Sequence, residues 1–125
     1  MQNISKVKLW AGIILILVVG IIHVIDAPGS FEDAAYKGWL FYANGAGALT
    51  SAVLMYRQSR WGWRLGLMVA AGALAGYIAS RTVGLPMIPA EPDAWFEPLG
   101  VASMIAEGLF IAVYLLALKH KNAKV

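Results

Sequence analysis

Cysteine is absent from the 125 residues, which excludes disulfides, thiolate metal sites, thiol redox chemistry and covalent c-type haem within this chain. Charge is scarce too: Asp, Glu, Lys and Arg make up 14% of the residues, against 60% hydrophobic. A soluble domain carries about 25% charged and about 45–50% apolar residues, so a membrane is the first setting to test. Several chemical signatures are also missing. No Ser-His-Asp pattern, phosphate loop or Glu-x-x-His pair of the di-iron bundle type occurs. No stretch shows the period-2 alternation of a barrel strand. The net charge of +3 does not point to nucleic acid, because the basic residues are not gathered on a soluble face.

What is present is four apolar stretches, at about 7–25, 38–56, 62–81 and 99–118. Each has close to the ~20 residues that a helix needs to cross a hydrocarbon core. Short connections force consecutive helices to run antiparallel, so the expected architecture is all-α: one domain, residues 1–125, forming an integral membrane antiparallel four-helix bundle. A swapped or homo-oligomeric arrangement of the same helices satisfies the pattern equally. Lys6 and Lys8 ahead of the first apolar run resemble a signal-peptide start, but the run exceeds a typical h-region and His23 and Asp26 suit a cleavage region poorly. It reads as a spanning helix.

The charges sort by position. Lys6, Lys8, Arg57, Arg60, Arg64, Lys119, Lys121 and Lys124 fall at one end of such a bundle, leaving Lys37 and Arg81 for the other. By the positive-inside rule both termini are cytoplasmic. The acids Asp26, Glu32, Asp33, Glu91, Asp93, Glu97 and Glu107 lie in or beyond the membrane. Arg81 therefore ends the third helix on the outer side. Two readings fit it: an interfacial arginine reaching the headgroups, or one turned inward toward Glu107, Glu97, Asp26 or an anionic ligand.

Glu107 lies about 15 Å along the fourth helix from Pro98 at the usual helical rise, hence near mid-membrane. A carboxylate there costs several kcal/mol unless paired or protonated, so such residues usually face the bundle interior. Gly100, Ser103 and Tyr114 share its face. It serves either as hydrogen-bonding glue between helices or as a ligand, ion or proton site. Asn44 sits in the small-residue stretch "ANGAGALTSA", on one face with Gly47, Ala48 and Ser51, where a neighbouring helix can come close. An interhelical amide hydrogen bond is its simpler role. The third helix repeats the small spacing in Gly62, Gly66 and Ala70, and in Gly72, Gly76 and Ser80. His23 and Asp26 share the outer end of the first helix, Tyr77 and Arg81 that of the third.

Each helix thus brings a polar group toward the outer half: His23, Asn44, Tyr77 with Arg81, and Glu107. Together they are the candidate ligand-binding residues, and His23, Asp26 and Glu107 the candidate metal ligands. A metal ion is one cofactor to consider. A bis-histidine haem within one chain is not expected, because His120 belongs to the opposite membrane face; a haem shared with another subunit stays open. "SFED" predicts a capping box with Ser30 capping the second helix and Asp33 following it, and Pro98 suits a first helical position. Trp39, Tyr42, Trp95 and Phe96 predict an outer aromatic belt, with Trp10, Tyr56, Trp61 and Trp63 on the inner side. "RTVGLPMIPAEPDAWFEPLG" reads either as a proline-stiffened lid over the outer mouth or as a plain connector.

With its His23, "LFYANGAGA", "SRTVGLP", "EPLG" and "EGLF", the chain resembles a set of small, uncharacterised bacterial four-helix membrane proteins. The resemblance covers most of the chain and implies a bacterial or archaeal inner (plasma) membrane. It implies no activity. Three functions fit the residues: a binder or transporter of a small ligand or ion (metal, anion or proton-coupled); a non-catalytic accessory subunit of a larger membrane complex; and a membrane enzyme acting on a lipid or quinone through Glu107 or His23.

Overall fold

The computed structural model describes residues 4–123; Lys124 lies outside them, as do the side chains of Lys119, His120 and Lys121. Four helices make up the described chain: α1 (Lys6–Asp33), α2 (Ala35–Tyr56), α3 (Arg60–Arg81) and α4 (Pro98–Ala123), with a short 3₁₀ turn at Pro92–Ala94. No strand occurs among the described residues beyond an isolated bridge between Leu85 and Ile88. Each helix packs on the next and α4 returns to α1, so the four form a ring in which α2 and α4 occupy opposite corners and do not meet. α1, α3 and α4 are long and apolar enough to span a membrane. α2 has the length, but with its Asn44 and Lys37 it is not among these three.

α1 does not stop at the expected Ile25 but runs on to Asp33 with Pro28 inside it. A proline removes one helical hydrogen bond, and here the residues on either side of it, Ala27 and Ser30, stay buried, which holds the segment helical. Ser30 consequently caps nothing: its carbonyl accepts from Ala34 N–H at 3.2 Å, and Ala34 precedes α2 with no side-chain cap. One extended residue replaces the expected outer loop. Pro98 does open α4.

The α2–α3 turn is equally tight. Gln58 N–H donates to Met55 O and Ser59 N–H to Leu54 O, both 2.9 Å, with Gln58 in the left-handed region at φ 63°. This is a Schellman stop with glutamine where glycine is usual. Ser59 then caps α3, its hydroxyl accepting from Trp61 N–H at 3.2 Å.

Near this turn the bundle is solid. Leu9, Ile13, Ile16, Met55, Trp63 and Phe110 form a continuous core, with Trp63 stacked on Phe110 (centroids 5.9 Å, 27°) and tilted against Tyr114. Trp63 is therefore a core residue, only 1% exposed, and not part of an inner belt. Gly12 makes room for it, while Gly62 and Gly66 admit Met55 and Phe110. A Cβ at Gly12 would lie 2.7 Å from the Trp63 ring, and one at Gly66 2.5 Å from Phe110. Trp10, Tyr56 and Trp61 do lie on the surface, as do Trp39, Tyr42 and Phe96 at the other end.

Candidate functional site

The opposite half is hollow. A cavity of about 700 Å³ occupies it, walled by the second half of α1, the first half of α2, α3 from Leu65 onward, the first half of α4 and parts of the 82–97 connection. His23, Asn44, Tyr77, Arg81 and Glu107 all line it, and so does Asp26. The four helices thus bring every sequence-predicted site residue to one space.

At its inner end Glu107 is buried to 1% exposure. Ser103, one turn earlier on α4, donates its hydroxyl to Glu107 Oε2 at 2.5 Å. Glu107 Oε1 has no partner, and neither has Asn44 Oδ1. The amide of Asn44 is thus not held by a neighbouring helix through that oxygen, contrary to the simpler expectation. Two buried acceptors without donors are unusual, because each such group costs about 1–3 kcal/mol of desolvation.

His23 is buried beside the ring of Phe41 (centroids 4.8 Å). Its Nδ1 lies 2.8 Å from Val19 O. A carbonyl can only accept, so Nδ1 carries the proton and Nε2 of the neutral ring is an acceptor. Among the described residues no three His, Asp or Glu side chains gather closely enough to hold a metal ion. His23, Asp26 and Glu107 line the same cavity without forming a coordination sphere.

Arg81 answers its two readings with a third arrangement. It is turned inward and 7% exposed, but its partner is Glu97 (Nη2 to Oε2, 3.3 Å), not Glu107 or Asp26. Nε donates to Ala94 O at 3.1 Å and Nη1 to Ser80 Oγ at 2.8 Å, and the guanidinium lies 4.2 Å from the centroid of the Tyr77 ring. Tyr77 in turn donates its hydroxyl to Trp95 O at 2.8 Å. Both residues serve to strap the 82–97 connection to the end of α3. Glu91 N–H adds a bond to Ser80 O (2.9 Å), and Tyr36 of α2, which sequence reasoning missed, donates to Pro86 O at 2.6 Å. The connection itself is shaped by Gly84 (φ 88°), whose N–H closes on Ala79 O at 2.7 Å, and by a turn over Pro86 and Met87. Leu85, Glu91 and Glu97 from it line the cavity.

A second missed pair is Lys37 with Asp33, 2.7 Å apart across the α1–α2 break and both on the cavity wall. Their spacing of four was the available signal. Gly72 and Gly76 also differ from expectation. They were read as a helix-packing stripe, yet a Cβ at either would meet nothing within 4 Å; both face the cavity and widen it.

Compared with family models, curated proteins and solved structures, the chain matches none of them.

Proposed function

We propose that the chain is an integral membrane protein, with both termini cytoplasmic, that binds a small ligand in the cavity at its outer end. The observation that carries this reading is the pair of unpartnered buried acceptors, Glu107 Oε1 and Asn44 Oδ1, on the wall of a cavity of about 700 Å³. Ligand pockets typically measure about 300–1,000 Å³ and combine apolar walls with a few convergent polar groups. A ligand supplies the missing donors.

The membrane setting rests on three spanning-length helices and on charge. Lys6, Lys8, Arg57, Arg60 and Arg64 cluster at the solid end, whereas six of the seven acids lie at or near the hollow end and Glu107 inside it. The positive-inside rule then points the cavity outward. α1, at 28 residues, is about 42 Å long and exceeds a ~30 Å hydrocarbon core, which puts the lid at headgroup level.

The test is native mass spectrometry of the gently extracted protein. The expected result is a retained small molecule in the wild type that is lost in Gly76→Leu and in Glu107→Gln, with helicity unchanged in both. A wild-type protein that carries no small molecule and shows no ligand-dependent stabilisation, while co-purifying with other polypeptides, would favour an accessory subunit instead.

A further inference from the structure

Resting on that reading, the structure assigns a ligand class to the cavity: a small organic cation, an ammonium or guanidinium group on an apolar body. The deep wall offers two buried acceptors without donors, Glu107 Oε1 and Asn44 Oδ1, beside His23, whose Nδ1–H is already directed at Val19 O. Five carboxylates line the cavity (Asp26, Asp33, Glu91, Glu97 and Glu107) against two cations, Lys37 and Arg81.

Both cations are already committed. Lys37 holds Asp33 at 2.7 Å, and Arg81 directs Nε, Nη1 and Nη2 at Ala94 O, Ser80 Oγ and Glu97. An anionic ligand therefore meets no free cation on this wall and faces the remaining carboxylates. That removes the anion from the candidate list and leaves Arg81 as a strap.

A bare metal ion fits as poorly, since no three ligating side chains converge among the described residues. An organic cation needs no coordination sphere. It asks for one carboxylate, one or two further acceptors and apolar contact for its body. Ile22, Phe41, Val69 and Leu99 supply that contact. The wall also reaches the bundle surface at Leu40 of α2 and Met68 of α3, which are 60% and 72% exposed. In a membrane that flank faces lipid, an apolar doorway suited to an amphipathic amine.

The experiment uses the full chain in nanodiscs and three size-matched triplets: propylammonium, propanol and propionate; phenethylammonium, 2-phenylethanol and phenylacetate; octylammonium, octanol and octanoate. Binding is read by calorimetry after subtraction of empty nanodiscs. At least one ammonium should bind about tenfold or more tightly than its alcohol and carboxylate partners, a difference of about 1.4 kcal/mol. Glu107→Gln should remove that preference, and Gly76→Leu should abolish binding altogether. The glycine variant guards against misfolding at Glu107, because the space beside Gly76 is open.

Alcohols or carboxylates binding as well as ammonium, with loss in Gly76→Leu, would overturn the cation while keeping the ligand cavity. Zn²⁺ binding that Glu107→Gln removes, with no ammonium bound, would overturn it in favour of a metal. Failure of all nine compounds, together with no retained molecule in the native protein, would sink both readings.

Discussion

The two halves of this bundle use the same residue types to opposite ends. In the half near the α2–α3 turn, glycines admit neighbours. A Cβ at Gly12, Gly62 or Gly66 would collide with Trp63, Met55 or Phe110. In the half under the 82–97 connection, Gly29, Gly72 and Gly76 instead have open space where a Cβ would stand, although Gly38 and Gly100 there still admit Phe31 and Tyr77. The polar groups divide the same way. Ser51, in the solid half, donates to Gly62 O at 2.6 Å, whereas Glu107 and Asn44, in the hollow half, each leave an acceptor unmatched. Small residues bring helices together only where something fills the interface. Where nothing does, they make a chamber.

Mutations can break or sharpen this contrast. The largest effect is expected from Phe110→Ala, which removes the ring that stacks on Trp63; a loss of about 3–5 kcal/mol should appear as a sharply lowered unfolding midpoint in detergent. Gly62→Ala should follow, since its Cβ would run into the Met55 and Leu54 backbone; overpacking of this kind costs about 1–3 kcal/mol. Arg81→Gln should weaken the lid more than the bundle. Losing charged hydrogen bonds of about 1.5–3 kcal/mol should speed amide exchange at Glu91 and proteolysis within 82–97, with α1 and α2 protection unchanged. Smallest and opposite in sign is Gly76→Ala: with no clash to offset it, the helix should gain about 0.5–1 kcal/mol. If Gly62→Ala and Gly76→Ala shifted stability alike, the division into a solid and a hollow half would be wrong.

Much of this was legible in the sequence, for physical reasons. Apolar runs long enough to span a membrane fix the helix count, and Pro98 marks the start of α4 because its missing N–H is harmless there. His23, Asn44, Tyr77, Arg81 and Glu107 could be placed at one end because helical rise converts position into depth. What escaped were matters decided by neighbours. "DAPGS" carries the punctuation of a helix end, yet burial of Ala27 and Ser30 carries α1 through it. Trp63 fits a belt by position and a core by packing, and the space left by Gly12 across the interface decides between them. Spacing placed Gly72 and Gly76 on one face of α3 but could not say whether a helix or a void would meet that face. Arg81 had three carboxylates within plausible reach, and the fold of the lid selected Glu97.

The single-residue joint at Ala34 has a mechanical consequence. α1 and α2 share extensive contact and almost no slack, so they form the fixed jaw of a vice. α3 is held to that jaw by the equally tight turn at Arg57–Ser59, so the one long joint is the 82–97 span between α3 and α4, which Tyr36 clasps to α2 through Pro86 O. The slack in the chamber's frame therefore lies in that one span, and the Tyr36 hydroxyl is the clasp that takes it up.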